Sequence, residues 1–487
     1  MKVLSDILKA IKIIKVTGNA ELPVTNIVFD SRKVNVGCLF VAVKGTQVDG
    51  HDYIDKTIEK GAKAIVCEEI PENHSNDIVF IQVEDSAKAL GQLASAFYDY
   101  PSSKLKLVGV TGTNGKTTTV TLLYNLVRKL GYKAGLLSTV RNYIDNQIVE
   151  ATHTTPDAIQ MNQLMKQMVD YGCEFCFMEV SSHAIHQERI AGLDFKGALF
   201  TNITHDHLDY HKTFAEYIKA KKKFFDELKT ESFALINTDD KNGNVMVQNT
   251  KAEVRNYAVR SAADFKAKII ESHFEGSMLN IDNMDVWTYF VGKFNAYNLL
   301  AVYACAVMLG FEKNEVLTAL SDMKPVEGRF ETIRSQNGIT AIVDYAHTPD
   351  ALLNVLNAVN EIRNEDQELI TVVGAGGDRD KTKRPEMAKI AAINSDKVIL
   401  TSDNPRTEDP NTIIEDMKVG IDMENKKKVL SIVDRKEGIR TACLLAKKGD
   451  IILVAGKGHE TYQEINGVKH HFDDREIIHQ IFNELYN

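Results

Sequence analysis

Apolar residues in this chain follow two alternating patterns. Short apolar runs bounded by Gly, Pro, Asp or Ser predict buried strands, and longer segments with an apolar residue every third or fourth position predict amphipathic helices. From about residue 104 onwards the two patterns alternate, which predicts parallel sheets with helices packed on their faces. Ligands in such folds bind at the carboxyl ends of the strands. The polar loops that follow predicted strands are therefore the candidate ligand-binding segments.

The clearest strand–loop–helix unit lies in the second quarter of the chain. An apolar run at 105–110 is followed by the loop Thr-Gly-Thr-Asn-Gly-Lys-Thr at 111–117 and then by a helical pattern that continues to residue 130. This order of elements is the context that a phosphate-binding loop requires.

The residues of this loop suit the binding of a nucleotide. Gly112 and Gly115 allow the backbone to approach an anion, and the helix start offers free N–H groups and a positive dipole end. Lys116 would reach the outer phosphates, and the Thr117 hydroxyl would hold Mg²⁺. Where the usual loop has a further glycine this chain has Val110, so the sequence predicts a variant phosphate loop. An ordinary glycine-rich turn is the alternative.

Three polar clusters lie in the middle of the chain. Glu-Val-Ser-Ser-His at 179–183 and Thr-Asn-Ile-Thr-His-Asp-His at 201–207 end predicted strands, and His-Thr-Thr-Pro-Asp at 153–157 lies in a loop. Glu and His near a nucleotide phosphate are natural ligands of Mg²⁺ or of its water shell. A single His of this kind is more often a surface or capping residue, but the shared position at strand ends favours a site.

The last third of the chain repeats the alternation. Predicted strands lead into polar loops at 344–350, 374–380, 402–406 and 455–460. These loops gather on one edge of a parallel sheet, where Arg379 and Arg406 are available for carboxylates. Arginine presents a planar fork that matches a carboxylate bidentately.

Length and composition narrow the class of protein. A chain of 487 residues predicts about three domains, and breaks near residues 103 and 328 divide it into 1–103, 104–328 and 329–487. The net charge of −9 argues against a nucleic-acid binder but permits a local basic pocket for anionic substrates. Cys173 and Cys176 lie in an apolar run and are expected in a buried strand. Because no leader or membrane-spanning segment is evident, we expect a soluble cytoplasmic protein.

Taken in order, these motifs resemble the Mur ligases, the ATP-dependent amide-forming enzymes of peptidoglycan synthesis. Segments 30–32 and 37–42 resemble the family's uridine-binding domain, and the loop at 111–117 is its variant phosphate loop. Motifs at 153–156, 179–183 and 206–209 resemble its central domain, and those at 344–347 and 376–380 its third. The resemblance implies an α/β fold with an N-terminal uridine-binding domain, a central P-loop ATPase domain with a parallel sheet, and a Rossmann-like C-terminal domain.

The resemblance also implies roles for residues in the first two domains. The uridine-linked substrate would be held by Ser31, Thr154, Thr155, Ser181, Gln187 and Arg189. ATP would be bound by Gly112, Thr113, Asn114, Gly115, Lys116, Thr117, Thr118, Asn298, Arg329, Asp344 and His347. Mg²⁺ would be held by Thr117, Glu179, His207 and Lys221, and the catalytic residues would be Lys116, Glu179, His207 and Lys221. By composition alone Lys221 belongs to a solvated basic helix face, whereas the resemblance implies that it is carbamylated.

The amino-acid pocket implied by the resemblance consists of Arg379, Asp403, Asn404, Pro405, Arg406, Gly456 and Glu460. Asp-Asn-Pro-Arg is the motif of family members that add meso-2,6-diaminopimelate, whose distal carboxylate suits the Arg406 fork. Glu460 could accept a hydrogen bond from a substrate ammonium.

The implied activity is ATP- and Mg²⁺-dependent addition of diaminopimelate to UDP-N-acetylmuramoyl-L-alanyl-D-glutamate, through an acyl phosphate, by a monomer. Two alternatives stay open. One is a member of the same family that adds L-lysine, and the other is a non-catalytic ATP-binding regulatory protein.

Overall fold

The computed structural model describes residues 1–45, 48–72, 77–151 and 153–486, with only the backbone described at Asp209. Within these residues the chain forms three main sheets, one after another along the sequence. Among them, no helix combines the length and the apolar composition that crossing a membrane requires.

The N-terminal sheet is small and mostly parallel. Its strands lie in the order Lys15–Thr17, Val79–Gln82, Ala64–Cys67, Leu39–Val41 and Ile27–Val28, and only the first pair is antiparallel. Strands Lys2–Val3 and Pro23–Val24 form a separate pair. The helices are Leu4–Leu8, Ile54–Glu59 and Ser86–Phe97, with 3-10 turns at Gly50–Tyr53 and Pro101–Lys104.

The central sheet is parallel in its middle and antiparallel at both ends. Its strands lie in the order Gln147–Val149, Asn142–Ile144, Ala134–Leu137, Phe175–Glu179, Lys106–Thr111, Gly197–Phe200, Phe233–Asn237, Glu253–Ala258, Phe265–His273, Gly276–Ile281 and Met284–Thr288. The helices are Lys116–Lys129, Ala158–Asp170, Ser182–His186, Leu208–His211, Phe214–Asp226, Gly243–Met246, Lys293–Met308 and Lys313–Ser321. Lys106–Thr111 lies between two parallel neighbours, so the phosphate loop emerges from the middle of the sheet.

The C-terminal sheet repeats this design. Its strands lie in the order Glu331–Arg334, Thr340–Asp344, Ile451–Ala455, Leu369–Val373, Lys397–Leu400 and Val429–Ser431, and only the first pair is antiparallel. A hairpin, Tyr462–Ile465 with Val468–His471, lies apart from it. The helices are Pro349–Ile362, Lys383–Asn394, Pro410–Lys418, Arg435–Leu445 and Asp474–Tyr486, with a 3-10 turn at Lys426–Lys428.

Apolar cores lie on both faces of the central and C-terminal sheets, as expected for strands that are apolar throughout. The predicted alternation of strands and helices is confirmed, and the apolar run at 105–110 lies one residue before the observed strand Lys106–Thr111. All six cysteines lie in the described part of the chain, where each is buried with a free thiol. Cys176 is in strand Phe175–Glu179, and Cys173 is buried just before it, so the prediction of one strand for both is only partly right.

Candidate functional site

The phosphate loop has the conformation that its glycines permit. Gly115 has φ +86°, and a Cβ there would come within 2.5 Å of the Asn298 side-chain oxygen. A Cβ at Gly112 would come within 1.9 Å of the Thr201 hydroxyl. Lys116 Nζ donates to the carbonyl oxygens of Gly112 (2.9 Å) and Thr113 (2.8 Å), so it curls back over the loop. Removal from water lowers its pKa, which the negative charge of Glu179 opposes.

Glu179 and His207 lie beside this loop. Glu179 is buried at the end of its strand, and its Oε1 accepts from the Thr139 backbone N–H (2.8 Å). His207 lies just before a short helix and has a backbone φ of +54°. The centre of its ring lies 5.0 Å from the centre of the His183 ring. Burial lowers the pKa of His207, although Asp206 opposes the shift, so the imidazole is neutral and can offer a lone pair.

The solvated-face interpretation of Lys221 is wrong. Helix Phe214–Asp226 turns this side chain inward, and only 1% of the residue is exposed. Its Nζ donates to the Gly112 carbonyl (2.8 Å) and lies 3.4 Å from the Thr111 hydroxyl. Its hydrogen-bond partners in the described chain are these two oxygens, whereas the nearby Asp206 carboxylate pairs with His207 and Lys383. Burial, and then the charge of Lys116, lower the pKa of Lys221 far below its usual value, which favours a neutral amine.

These side chains suit a hard divalent cation only in part. The described residues contain no ready group of three His, Cys, Asp or Glu ligands. Thr117, Glu179, His207 and Lys221 nevertheless line one cleft. A carbamate on Lys221 would add the second carboxylate-like ligand, so the set fits Mg²⁺ once that lysine is modified.

The predicted ATP-binding residues beyond the loop approach it from two directions. Asn298 comes from helix Lys293–Met308. Arg329, Asp344 and His347 belong to the C-terminal part of the chain. The Arg329 guanidinium lies 4.5 Å from the centre of the Tyr345 ring. Asp344 accepts from the Phe330 N–H (2.7 Å), and burial raises its pKa to about 6. The His347 Nδ1 lies 2.8 Å from the Tyr345 carbonyl oxygen.

The predicted acceptor-binding residues of the central domain form one hydrogen-bonded group. Thr155 donates to the Glu179 carbonyl (2.8 Å), and its hydroxyl also receives the Ser181 N–H (3.1 Å). Arg189 donates to the Thr155 carbonyl (2.9 Å) and to Gln187 Oε1 (2.6 Å). Thr154, in the same group, receives the Thr139 hydroxyl (3.1 Å).

Arg406 and Glu460 lie on the C-terminal side. Arg406 Nη1 donates to the Gly377 carbonyl (2.7 Å), and its Nε lies 3.4 Å from Glu464. Asn404 Nδ2 donates to Glu460 Oε2 (2.8 Å). Arg379 is exposed at the mouth of the cleft.

A single cleft of about 1000 Å³ brings most of the predicted residues together. Three of them do not line it: Ser31, Gln187 and Pro405. Ser31 lies on a loop of the N-terminal sheet, where its carbonyl accepts from Lys60 (2.8 Å). Gln187 supports Arg189 from behind.

Sequence reasoning missed the contacts that join the central and C-terminal parts across the cleft. Asn114 Nδ2 donates to Asp350 Oδ2 (2.7 Å), and Lys383 pairs with Asp206. It also missed Lys457, which is fully buried and contacts Asn404 and Glu460 of the predicted amino-acid pocket. Its only sequence signal is its place between two glycines in the loop at 455–460.

The fold and the shared cleft define the class of protein. Family models match three successive regions: "Mur ligase family, catalytic domain" at 23–98, "Mur ligase middle domain" at 110–306 and "Mur ligase, glutamate ligase domain" at 328–458. The chain belongs to the Mur ligase family, and the predicted three-domain α/β fold is confirmed.

Individual relatives are more specific. The chain is 60% identical over 480 residues to the UDP-N-acetylmuramoyl-L-alanyl-D-glutamate–2,6-diaminopimelate ligase of Bacteroides thetaiotaomicron, covering 99% of this chain and 100% of that protein. It is also 60% identical, over 483 residues, to the ligase of the same name from Cytophaga hutchinsonii, covering 99% of each. A solved structure of a ligase of this name superposes with a TM-score of 0.70 at 32% identity, covering 99% of both chains.

Proposed function

We propose that this protein is an ATP-dependent ligase that joins meso-2,6-diaminopimelate to UDP-N-acetylmuramoyl-L-alanyl-D-glutamate. The observation that carries the proposal is one cleft whose lining includes the phosphate loop as well as the Arg406 and Glu460 side chains. The names of the full-length relatives support the same substrates.

The central domain holds ATP and activates the acceptor. Backbone N–H groups of the loop and the Lys116 ammonium face the phosphates, and Asn298, Arg329, Asp344 and His347 hold the nucleoside. Thr154, Thr155, Ser181 and Arg189 hold the acceptor, so that the D-glutamyl γ-carboxylate attacks the γ-phosphorus and ADP leaves. Much of the rate enhancement comes from this alignment and from the fixed positive charge of Lys116.

Lys221 is the modified residue in this proposal. Its neutral, buried amine attacks carbon dioxide, a C–N bond forms, and the proton leaves to solvent, giving a carbamate. With Thr117, Glu179 and His207 the carbamate would hold Mg²⁺, which would supply positive charge to neutralise the phosphates.

The C-terminal domain selects the incoming amine. Arg379 and Arg406 pair with the distal carboxylate of diaminopimelate, and Glu460 accepts from its distal ammonium. The reacting amine attacks the acyl phosphate carbon to give a tetrahedral intermediate, which loses phosphate and one proton from nitrogen to form the amide. L-Lysine lacks the distal carboxylate, and its ammonium is repelled by Arg406, so the fork favours diaminopimelate.

We further propose domain limits of 1–103, 104–328 and 329–487, with Ser31 at the uridine end and Gln187 supporting Arg189. We also propose that the protein acts as a monomer in the cytoplasm, where ATP and UDP-linked precursors are available.

The test is phosphate release with ATP, Mg²⁺ and the UDP-linked dipeptide, run in parallel with meso-diaminopimelate and with L-lysine. We expect release with diaminopimelate only. Release with lysine instead would retain the ligase and reject the role of Arg406, and release with neither would reject ligation and favour a regulatory ATP-binding protein.

A further inference from the structure

Lys457 is a buried cation that the proposed reaction does not use directly. It lies between Gly456 and Gly458 in the loop after strand Ile451–Ala455, and its side chain is 0% exposed. Nζ donates to Asn404 Oδ1 (3.1 Å) and to Glu460 Oε2 (3.0 Å). Because an unpaired buried charge is costly, these two contacts compensate the burial of the ammonium.

The first contact fixes the orientation of the Asn404 carboxamide. Its Oδ1 receives both Lys457 Nζ and the Glu464 backbone N–H (2.9 Å). Two donors on one atom identify that atom as the oxygen, so Nδ2 points the other way and donates to Glu460 Oε2 (2.8 Å). Both donors to Glu460 use Oε2, and neither occupies Oε1.

The contact between Lys457 and Asn404 also affects the position of Arg406. The backbone N–H of Glu464 donates to Asn404, and the backbone carbonyl of Glu464 accepts a hydrogen bond from the backbone N–H of Arg406 (3.0 Å). Its carboxylate Oε2 lies 3.4 Å from Arg406 Nε. Lys457 therefore lies at the centre of a chain of contacts. On one side it hydrogen-bonds directly to the Glu460 carboxylate, and on the other its hydrogen bonds run through Asn404 to Glu464, whose carboxylate forms an ion pair with the Arg406 guanidinium.

Charge reinforces this arrangement. Burial and the nearby Asp403 carboxylate raise the pKa of Glu460, whereas Lys457 lowers it. Removing the lysine would favour a protonated Glu460, which would no longer pair with an ammonium as an anion.

We propose that Lys457 is the positioning residue of the amino-acid pocket. Without touching the substrate, it holds Glu460 and, through Asn404 and Glu464, Arg406 in a spacing that accepts a carbon bearing both an ammonium and a carboxylate. This inference rests on the function proposed above.

The test compares Lys457→Met, which has no donor, with Lys457→Gln, which keeps a neutral donor. Lys428→Met is the control, since that lysine donates to the backbone carbonyls of Ala392 and Ser395 and does not line the cleft. Phosphate release is measured with meso-diaminopimelate, with 2-aminopimelate, which lacks the distal ammonium, and with L-lysine, which lacks the distal carboxylate.

For Lys457→Met we expect KM for diaminopimelate to rise about tenfold or more, as for loss of a charged hydrogen bond. We expect kcat and KM for ATP to stay close to wild type, and the preference for diaminopimelate over 2-aminopimelate to fall by about the same factor. Lys457→Gln should lie between this variant and wild type, and Lys428→Met should match wild type.

Unchanged preferences in Lys457→Met, or a fall in kcat with KM unchanged, would overturn the inference. If wild type does not use diaminopimelate at all, the proposed function fails instead. Should Lys457→Met not fold, Lys457→Gln is combined with Glu460→Gln. If Lys457→Gln lowers the preference for diaminopimelate little further when Glu460→Gln is already present, Lys457 acts through Glu460. If the losses from the two substitutions add, Lys457 does not act through Glu460.

Discussion

At the scale of single residues, burial decides the chemistry of the cleft more than residue type does. Asp344 and Lys221 would both be charged in water. Burial raises the pKa of Asp344 and lowers the pKa of Lys221, and both shifts favour the neutral form. Both positions come from packing between elements far apart in the chain: Lys221 contacts a carbonyl 109 residues away.

Asp344 predicts a pH-dependent stability. Its pKa is about 6 in the folded protein against 3.8 unfolded, so the folded state binds the extra proton. The group therefore favours folding at pH below about 4, and this contribution is lost as the pH rises through 6. A shift of this size corresponds to about 3 kcal/mol. Asp344→Asn should therefore unfold at a higher temperature than wild type at pH 7.5 without nucleotide, and the difference should shrink toward pH 4.

The matched control is Asp366→Asn, at an exposed position of the same domain. It should leave the unfolding temperature close to wild type at both pH values. A gain for Asp344→Asn that does not depend on pH would contradict the explanation. We also expect this variant to have a higher KM for ATP, because the ionised carboxylate is proposed to contact the nucleotide.

Arg406 predicts a change of specificity. Arg406→Ala should lower kcat/KM for diaminopimelate at least about tenfold, as for loss of a charged hydrogen bond, and reduce the preference over L-lysine. Arg406→Lys should recover only part of the preference, since a lysine cannot pair bidentately. The measurement is phosphate release with each amino acid, and Arg440→Ala on helix Arg435–Leu445 is the control. Wild-type preference in Arg406→Ala would reject the role.

At the scale of elements, the carboxyl ends of parallel strands place the chemistry. Strands Lys106–Thr111 and Phe175–Glu179 are neighbours in register, so the phosphate loop and Glu179 meet at one edge. In the C-terminal sheet, strands Thr340–Asp344 and Ile451–Ala455 are also parallel neighbours, so the loops that follow Asp344 and Ala455 lie at one edge. Helices Pro349–Ile362 and Lys383–Asn394 then contact the central domain through Asp350 and Lys383.

The contact made by helix Lys383–Asn394 predicts a role in domain closure. In Lys383→Ala the largely buried Asp206 loses its lysine partner, and breaking a buried ion pair costs about 3–5 kcal/mol. Because about 1.4 kcal/mol corresponds to tenfold in rate, we expect kcat to fall more than about tenfold. Small-angle scattering without ligands should give a larger radius of gyration than wild type.

Lys389→Ala is the control for this variant, because Lys389 is exposed on the same helix. It should change neither the rate nor the radius of gyration. Wild-type scattering and a wild-type rate for Lys383→Ala would show that the ion pair does not hold the domains together.

At the scale of the whole molecule, the cleft belongs to two of the three domains. In the described chain its lining begins at Gly112, so no residue of the N-terminal sheet contributes. A non-hydrolysable ATP analogue with Mg²⁺ should therefore slow hydrogen exchange in the loop at 111–117 and at the start of helix Pro349–Ile362. Strands Ala64–Cys67 and Val79–Gln82 should respond only when the UDP-linked acceptor is added.

The control for this experiment is Lys116→Ala, which should lose the protection given by the analogue. Protection of the N-terminal sheet by the analogue alone would mean that nucleotide binding engages all three domains. The measurement is mass spectrometry of peptides from each domain at matched exchange times.

The alternating elements, the phosphate loop and the acidic and basic residues at strand ends could all be predicted from the sequence. This is possible because strand and helix periodicity, glycine spacing and charge are local properties. Folding in three dimensions was needed to show that Lys221 is buried, that Asn114 contacts Asp350, that Pro405 does not line the cleft, and that Lys457 joins Glu460 to Asn404. Burial and pKa depend on which faces pack together, and apart from the Lys457–Glu460 pair these neighbours are distant in sequence, so no local pattern records them.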